Sequence, residues 1–149
     1  MTEWLDDAQQ AAWRKLIEVV ELLPGTLDAQ LRRDADVSHF EYLTLAMLSE
    51  APERTLRMTA LAELTHATLP RLSHVVSRLE QRGFVERTAC PEDRRATNVT
   101  LTGSGWTKVV STAPGHVDTV RGTVFAPLDG EDVADLDRIM ARILERLGR

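Results

Sequence analysis

A chain of 149 residues with a net charge of −5 is long enough for one compact domain with an oligomerisation arm, and too acidic to coat nucleic acid non-specifically. No apolar run approaches the roughly 20 residues that span a bilayer, and the acidic start MTEW is unlike a signal peptide. We therefore expect a cytoplasmic protein without membrane contact. The single cysteine excludes an intramolecular disulfide, and four scattered histidines predict no metal site and no cofactor.

The amino-terminal segment predicts an amphipathic helix. Apolar residues recur every three or four positions from Leu5 to Leu23, and Trp13 widens the stripe. The pair Pro24-Gly25 is a strong breaker, so we expect the helix to stop there. Residues 1–36 hold four basic against eight acidic side chains, which makes this segment locally acidic.

The next segment predicts several short elements. Ser38 and Glu41 form a capping box, with Ser at the cap and Glu three residues later, and open a helix. The tripeptide Leu56-Arg57-Met58 predicts a brief strand, and Thr59 is expected to cap a short helix behind it. The order is therefore helix, strand, helix, followed by a tight link.

The helix after this link is capped by Thr68 and has one apolar stripe and one polar face. Proline in its first turn costs nothing, because that position has no N–H partner to lose. Hydroxyl, imidazole and guanidinium groups on one helix can meet base edges and phosphates together. The candidate DNA-binding residues on this helix are Pro70, Arg71, Ser73, His74, Ser77 and Arg78.

A hairpin with a long charged tip comes next. Gly83 ends the helix, and residues 84–87 and 98–101 alternate as two half-buried strands. The tip between them carries Arg94 and Arg95, which have nothing apolar nearby to pack against. Residues 66–99 hold six arginines against four acids, so the charge of the chain is segregated. A protruding basic loop beside a polar-faced helix is the layout of a winged helix-turn-helix.

The carboxyl-terminal third predicts two more helices. Thr102 caps a long one that we expect to be interrupted and kinked at Pro114-Gly115, and Asp129 caps a last one with an apolar stripe from Val133 to Leu147. The winged motif is already a closed unit, so the two terminal stripes need another surface to cover. A second copy of the chain supplies it, which predicts a homodimer.

The motifs between residues 38 and 105 resemble those of the MarR (multiple antibiotic resistance regulator) family of bacterial transcription factors. The resemblance rests on LAEL at 61–64, VSRLEQRGFVER at 76–87, PEDRR at 91–95, and Leu101-Thr102 with Gly105. The family's wing signature, aspartate and arginine two residues apart, corresponds to Asp93 and Arg95. The resemblance implies that Arg95 enters the minor groove while Asp93 steadies the loop. Arg94, the other arginine of the charged tip, is a further candidate DNA-binding residue.

Two positions depart from the family pattern. The turn before the helix capped by Thr68 usually has glycine where this chain has His66. Histidine tolerates positive φ better than a bulky apolar residue does. The wing often begins with aspartate where this chain has Cys90. The second departure affects the local geometry of the wing more than the fold.

The resemblance implies a mainly α fold with a small β-hairpin wing. A winged helix-turn-helix lobe at 37–102 lies between helical dimerisation regions at 1–36 and 103–149. The implied function is a homodimeric repressor that a small ligand, aromatic or phenolic for example, releases from an inverted repeat in double-stranded DNA. The resemblance places an effector crevice where the helix capped by Thr102, the amino-terminal helix and the helix capped by Ser38 approach the DNA-binding lobe. The residues nearest to it are expected to be Trp13, His39, Tyr42 and His116.

Two other hypotheses stay open at this point. A winged helix can serve as a protein-interaction module without DNA, although Arg94, Arg95 and the polar helix face favour DNA. A thiol- or metal-responsive regulator would share the DNA-binding function but depend on Cys90 or the histidines. The sequence has no glycine-rich phosphate loop in the required context and no nucleophile elbow, so we expect no enzyme.

Overall fold

The computed structural model describes residues 1–149, which form two compact units at 1–113 and 114–149. No helix in it is both long and apolar enough to cross a membrane. The elements are α1 (Asp7–Ala35), α2 (His39–Glu50), a 3-10 turn (Pro52–Arg54), β1 (Thr55–Arg57), α3 (Met58–Leu64), α4 (Leu69–Gln81), β2 (Val85–Ala89), β3 (Thr97–Leu101), α5 (Gly103–Val120), a π-helical segment (Arg121–Phe125) and α6 (Gly130–Arg146).

The first unit is built around one apolar core under a small antiparallel sheet. The strands lie in the order β1-β3-β2, so β3 pairs with both neighbours, and Val99 lies opposite both Leu56 and Arg87. Fully buried side chains from α2, α3 and α4 pack beneath it, and each is worth about 1.5–3 kcal/mol of burial. These are Leu45, Leu48, Leu61, Leu72, Val76 and Leu79.

Several sequence predictions are confirmed at residue level. The capping box of α2 is complete, because the side chains of Ser38 and Glu41 each bond the other's backbone N–H. Gly83 after α4 has φ +79°, and His66 before α4 has φ +54°, the left-handed value that glycine usually supplies at that turn. The mainly helical fold with a small hairpin wing is therefore present.

The end predicted for α1 at Pro24-Gly25 is wrong. The helix continues through Pro24 to Ala35 and ends at Asp36, which adopts φ +52°. An internal proline costs about 3 kcal/mol or more because it removes a hydrogen bond and crowds the previous turn. The segment beyond it gains packing in return, since Leu27 and Leu31 are buried where α1 meets α2.

Two further boundaries differ from prediction. α3 begins at Met58 with Arg57 at its cap, so Thr59 lies inside the helix; pairing of Arg57 with Asn98 holds that residue extended and starts the helix directly after β1. α5 runs from Gly103 to Val120 with Pro114 inside it, so the interruption predicted at Pro114-Gly115 is wrong, while the kink predicted there stays a prediction. The irregular part is the π-helical segment that follows.

The second unit contains the end of α5, the π-helical segment and α6. The predicted cap of α6 is confirmed as a capping box between Asp129 and Asp132. No residue of α6 is buried in the single chain, and its apolar side chains Ile139, Ile143 and Leu144 are exposed. Which residue ranges bind DNA and which dimerise remains a prediction.

Candidate nucleic-acid interface

The polar face of α4 points away from the core. Pro70 and His74 are exposed on that face, opposite the buried stripe of the same helix. The Thr68 hydroxyl accepts a hydrogen bond from the Arg71 N–H (3.4 Å) and caps the helix as predicted. The first turns of α4 therefore present their side chains to solvent, where a duplex can reach them.

One flank of α4, the wing-side flank, is tied to strand β2 through Arg87. The Arg87 guanidinium donates from Nη2 to the Ser77 hydroxyl (2.7 Å) and from Nη1 to the Ser73 hydroxyl (3.4 Å). The Glu80 carboxylate accepts the backbone N–H of Arg87 (2.8 Å) and lies 3.5 Å from Nη2. Two of the predicted DNA-binding hydroxyls are thus already engaged by a residue of the wing strand.

The opposite flank of α4, the α2-side flank, is held by arginines that reach toward α2. The Arg71 guanidinium lies 4.1 Å from the centroid of the Phe40 ring, a cation–π distance. Arg78 and Arg82 lie 3.4 and 3.8 Å from the two oxygens of the Glu41 carboxylate, which is almost fully buried. A buried carboxylate between two arginines fixes how α4 is rotated against α2.

The wing tip exposes its two adjacent arginines. Arg94 and Arg95 are both exposed, and the Asp93 carboxylate accepts the backbone N–H of Arg95 (3.0 Å). This is the contact expected of an aspartate that steadies the loop. The Cys90 N–H also donates to the carbonyl oxygen of Ala96 (2.9 Å) and closes the base of the tip.

The Cys90 thiol is buried at the base of the wing. Arg57 Nη2 lies 3.6 Å from its Sγ and 3.9 Å from the Glu92 carboxylate. The backbone N–H of Glu92 lowers the pKa of the thiol, burial opposes that effect, and Arg57 contributes in the lowering direction. The contact connects the end of β1 to the wing.

A crevice of about 670 Å³ lies between α1, the start of α2 and α4. The Asp28 carboxylate accepts the backbone N–H of His39 (2.8 Å) and contacts Arg32, and both interactions lower the pKa of Asp28. Burial lowers the pKa of the His39 imidazole. The remaining lining residues are Pro24, Gly25, Ser38, Phe40, Glu41, Arg71, His74, Val75 and Arg78.

The structure brings His39 to this crevice but not the other predicted ligand residues. Tyr42 lies in a small buried cluster with Leu31, where burial raises the pKa of its phenol. Trp13 is half exposed on α1, and His116 lines a separate hollow of about 380 Å³ in the second unit. No group of three or more His, Cys, Asp or Glu side chains is placed to hold a metal ion.

Sequence reasoning missed three residues that organise this surface. The sequence identifies Glu41 as part of a helix cap, but its burial between arginines depends on packing that no local pattern reveals. Arg57 and Arg87 each stand in a strand whose alternation only says that they point to one face. Once the register of the hairpin is known, the guanidinium of Arg87 can be placed beside the serines of α4, and its hydrogen bonds to them could then be predicted.

Comparison with known proteins places these features in a family. A sequence model of the MarR family matches residues 37–97. Sco3205, a MarR family transcriptional regulator from Streptomyces coelicolor crystallised in complex with DNA, is 45% identical, with 98% of this chain and 92% of that chain covered and a TM-score of 0.94. AbsC, a MarR family transcriptional regulator from the same organism, is 36% identical, with 99% and 100% covered and a TM-score of 0.93.

Curated relatives match over a shorter length. The HTH-type transcriptional regulator YdcH of Bacillus subtilis strain 168, described as uncharacterised, is 32% identical over 81 residues, which are 53% of this chain and 55% of that protein. The matched part of this chain spans about half the length of such relatives.

Proposed function

Because this chain belongs to the MarR family of transcriptional regulators, we propose that it is a homodimeric repressor that binds an inverted repeat and is released by a small ligand. Two copies related by a two-fold axis present two recognition helices, so the operator repeats with the same symmetry. In this proposal α4 enters the major groove, Arg95 enters the minor groove, and Arg94 adds charge near the backbone.

The observation that carries the proposal is that the exposed face of α4 is hydrogen-bonded to the strand that leads to the wing tip. Arg87 of β2 donates to Ser73 and Ser77 of α4, and Asp93 accepts the backbone N–H of Arg95 within the tip. Contacts that are already formed in the free protein reduce the ordering that binding to a duplex requires. Sco3205, which is 45% identical, was crystallised in complex with DNA, and this supports the proposal that the present chain binds DNA.

A gel shift on the intergenic DNA upstream of this protein's own gene tests the proposal. We expect one fragment to be preferred over random duplex, with affinity that falls steeply between two salt concentrations as counterions are released. If no fragment is preferred over random duplex, the operator-binding proposal fails.

Dimer formation is proposed from the apolar surface of the terminal helices. In the single chain Trp13 and Val20 of α1 are about half exposed, and Ile139, Ile143 and Leu144 of α6 are exposed to a similar degree. Apolar stripes of this kind on a soluble protein mark interaction surfaces. A second copy of the chain is the partner that the two-fold operator requires.

The crevice beside α4 is the proposed effector site. Phe40 and Val75 supply apolar surface for an aromatic ring, while Arg32, Arg71 and Arg78 can pair with a phenolate or carboxylate. Two of those arginines lie on α4 itself, so a ligand that engages them competes with their use at DNA.

Substitution of Gly25 tests this site, because Gly25 lines the crevice and a Cβ atom added there would meet nothing within 4 Å. We expect Gly25→Leu to keep operator binding but to abolish release by phenols and benzoates, because leucine fills the space. Equal release of the wild type and Gly25→Leu by the same compounds would remove the effector from this crevice.

A further inference from the structure

The Arg87 guanidinium lies where α4 and the wing strand come together. Its side chain is 29% exposed, although both ends of the fork contact α4. A guanidinium carries five N–H donors, and the bonds to Ser73 and Ser77 use two of them. The fork therefore keeps donors for a further acceptor on its exposed side.

The two serines are arranged to hold this arginine. The Ser77 hydroxyl donates its single proton to the Ser73 carbonyl oxygen (2.9 Å), so the lone pairs of Ser77 Oγ are directed at the Arg87 donor (2.7 Å). A hydroxyl whose proton is committed to the backbone can accept from a base but cannot donate to one. Support of Arg87 is the role that the geometry of Ser77 satisfies.

The proposed docking mode gives this position a specific neighbour in DNA. A helix in the major groove and a wing in the adjacent minor groove are separated by one sugar–phosphate backbone, which must cross the junction between α4 and the wing. Arg87 lies at that junction: it is the middle residue of β2, the strand that leads to the wing tip, and it is hydrogen-bonded to Ser77 of α4.

We propose that Arg87 binds a phosphate of the strand that separates the two grooves, with Ser73 and Ser77 as positioning residues that aim its guanidinium. Phosphodiester oxygens are acceptors that match the planar fork, and such contacts set register on the duplex without reading sequence. The inference rests on the proposed DNA-binding function and adds a ligand-contacting residue outside the recognition helix and the wing tip.

The carboxylate of Glu80 fits this arrangement. It lies 3.5 Å from Arg87 Nη2 and accepts the backbone N–H of the same residue. Without the guanidinium, this negative charge would face the phosphate with no cationic partner. Arg87 therefore both supplies attraction and neutralises a repulsive group at the same crossing.

Salt-dependent operator binding of Arg87→Gln and Arg87→Lys tests the proposal. We expect Arg87→Gln to lose about ten- to hundred-fold in affinity for every sequence alike, with the slope of log affinity against log salt concentration reduced by about one. Arg87→Lys keeps the charge and therefore the slope, but loses the fork and part of the affinity. Arg33→Gln removes the same charge from an exposed position of α1 and serves as the matched control.

A scan of single neutral methylphosphonate linkages along one operator half-site locates the contact. In wild-type protein one linkage between the two grooves should weaken binding, and in Arg87→Gln that linkage should make little further difference. Ser77→Ala should give a smaller loss that disappears in the Arg87→Gln background, with base preference unchanged. Thermal unfolding of each variant checks that it is folded.

Two results would overturn the inference. One is an unchanged salt slope in a folded Arg87→Gln that still responds to every methylphosphonate as the wild type does, which would make Arg87 a structural link alone. The other is altered base preference in Ser77→Ala, which would make that hydroxyl a base reader. Failure of wild-type protein to prefer any duplex would instead contradict the proposed function, so the two failures are distinguishable.

Discussion

Glu41 shows how one side chain connects stability to the proposed DNA-binding surface. Its carboxylate caps α2 by accepting the Ser38 N–H and lies close to Arg78 of α4 and to Arg82, the C-cap residue of that helix. A buried charge is tolerated when it is paired and hydrogen-bonded, and removing one partner leaves the other at high cost. The arginines on this flank of α4 are therefore positioned by α2 before any duplex arrives.

His39 gives the protein a pH-dependent stability. Burial lowers the pKa of its imidazole, and the Asp28 carboxylate acts in the opposite direction. Because the folded-state pKa lies below the unfolded value of about 6.5, this contribution is complete above that value and is lost as pH falls toward the folded pKa. The other titratable residues that line the crevice with His39 are Asp28, Arg32, Glu41, Arg71, His74 and Arg78.

We therefore expect the free energy of unfolding to decrease between pH 7.5 and 5.5, and the decrease to be smaller in His39→Gln. Urea denaturation at both pH values measures it. The same decrease in the variant as in the wild type would show that His39 does not cause the effect.

His74 and Arg95 should affect DNA binding in different ways. We expect Arg95→Ala to weaken binding to every site by about 1–3 kcal/mol, because a minor-groove arginine senses groove width and phosphate potential. We expect His74→Ala to relax preference at particular base pairs, because its exposed ring faces outward from α4. Titration of both variants against single-base operator variants separates the two roles; equal losses on all sequences would remove His74 from base readout.

At the scale of elements, the join between the wing and α5 depends on Thr102 and Gly105. The Thr102 hydroxyl donates to the Gly83 carbonyl oxygen (2.6 Å) and accepts the Gly105 N–H (3.0 Å). A Cβ at position 105 would overlap the carbonyl oxygen of Phe84 and the side chain of Leu101. Packing thus explains why Leu101 and Thr102 are accompanied by a glycine at position 105.

We expect Gly105→Ala to lower the free energy of unfolding by about 1–3 kcal/mol, the usual cost of overpacking. Gly103→Ala is the matched control, because nothing lies within 4 Å of its Cβ position at the start of the same helix. Chemical denaturation of the two variants compares them. Equal stability of both would mean that α5 shifts to accommodate the methyl group at no cost.

Sequence patterns predicted those elements whose signals are local. The caps at Ser38, Thr68 and Asp129 and the glycine after α4 fixed their helix ends correctly, because each depends on a few neighbouring residues. Pro24 misled, because it stands in a helix whose later turns gain packing against α2, whereas Pro70 lies in the first turn of α4 as predicted. The stabilisation from packing of the later turns against α2 outweighed the cost of the proline in the helix.

The features of the candidate site that depend on local sequence were likewise predictable, and those that depend on tertiary contacts were not. Exposure of Pro70, His74 and the wing arginines followed from periodicity and from the charged tip, whereas the bonds of Arg87 depend on strand register. Of the predicted ligand residues, His39 lines the crevice, while Tyr42 is used in packing. The sequence does not show whether an aromatic residue on such a helix faces the crevice or the core, because periodicity identifies a buried face but not what covers it.

For the whole molecule, association should depend on the apolar stripe of α6. Ile139 and Ile143 are exposed in the single chain, and burial of each is worth about 1.5–3 kcal/mol. We expect the double change Ile139→Glu and Ile143→Glu to give monomers with much reduced operator affinity, because one half-site supplies part of the contacts. Ala141→Glu, outside the stripe on the same helix, is the control. Light scattering measures the mass, and a dimer that keeps full affinity would show that this stripe does not hold the copies together.

Charge is distributed over the whole chain in a way that suits selective DNA binding. The net charge of −5 opposes non-specific association, while the region from 66 to 99 carries more arginines than acids. Affinity should then be concentrated at sites that engage α4 and the wing of both copies together.

Selection of bound duplexes from a random-sequence pool by the purified protein shows whether α4 and the wing recognise a specific operator. We expect the enriched sequences to share an inverted repeat whose half-site centres lie about 10 base pairs apart, one helical turn, because two α4 helices must enter successive major grooves on one side of the duplex. The Arg95→Ala protein should enrich the same motif more weakly. A pool that stays random after several rounds with folded, dimeric protein would contradict the assignment of this surface to operator recognition.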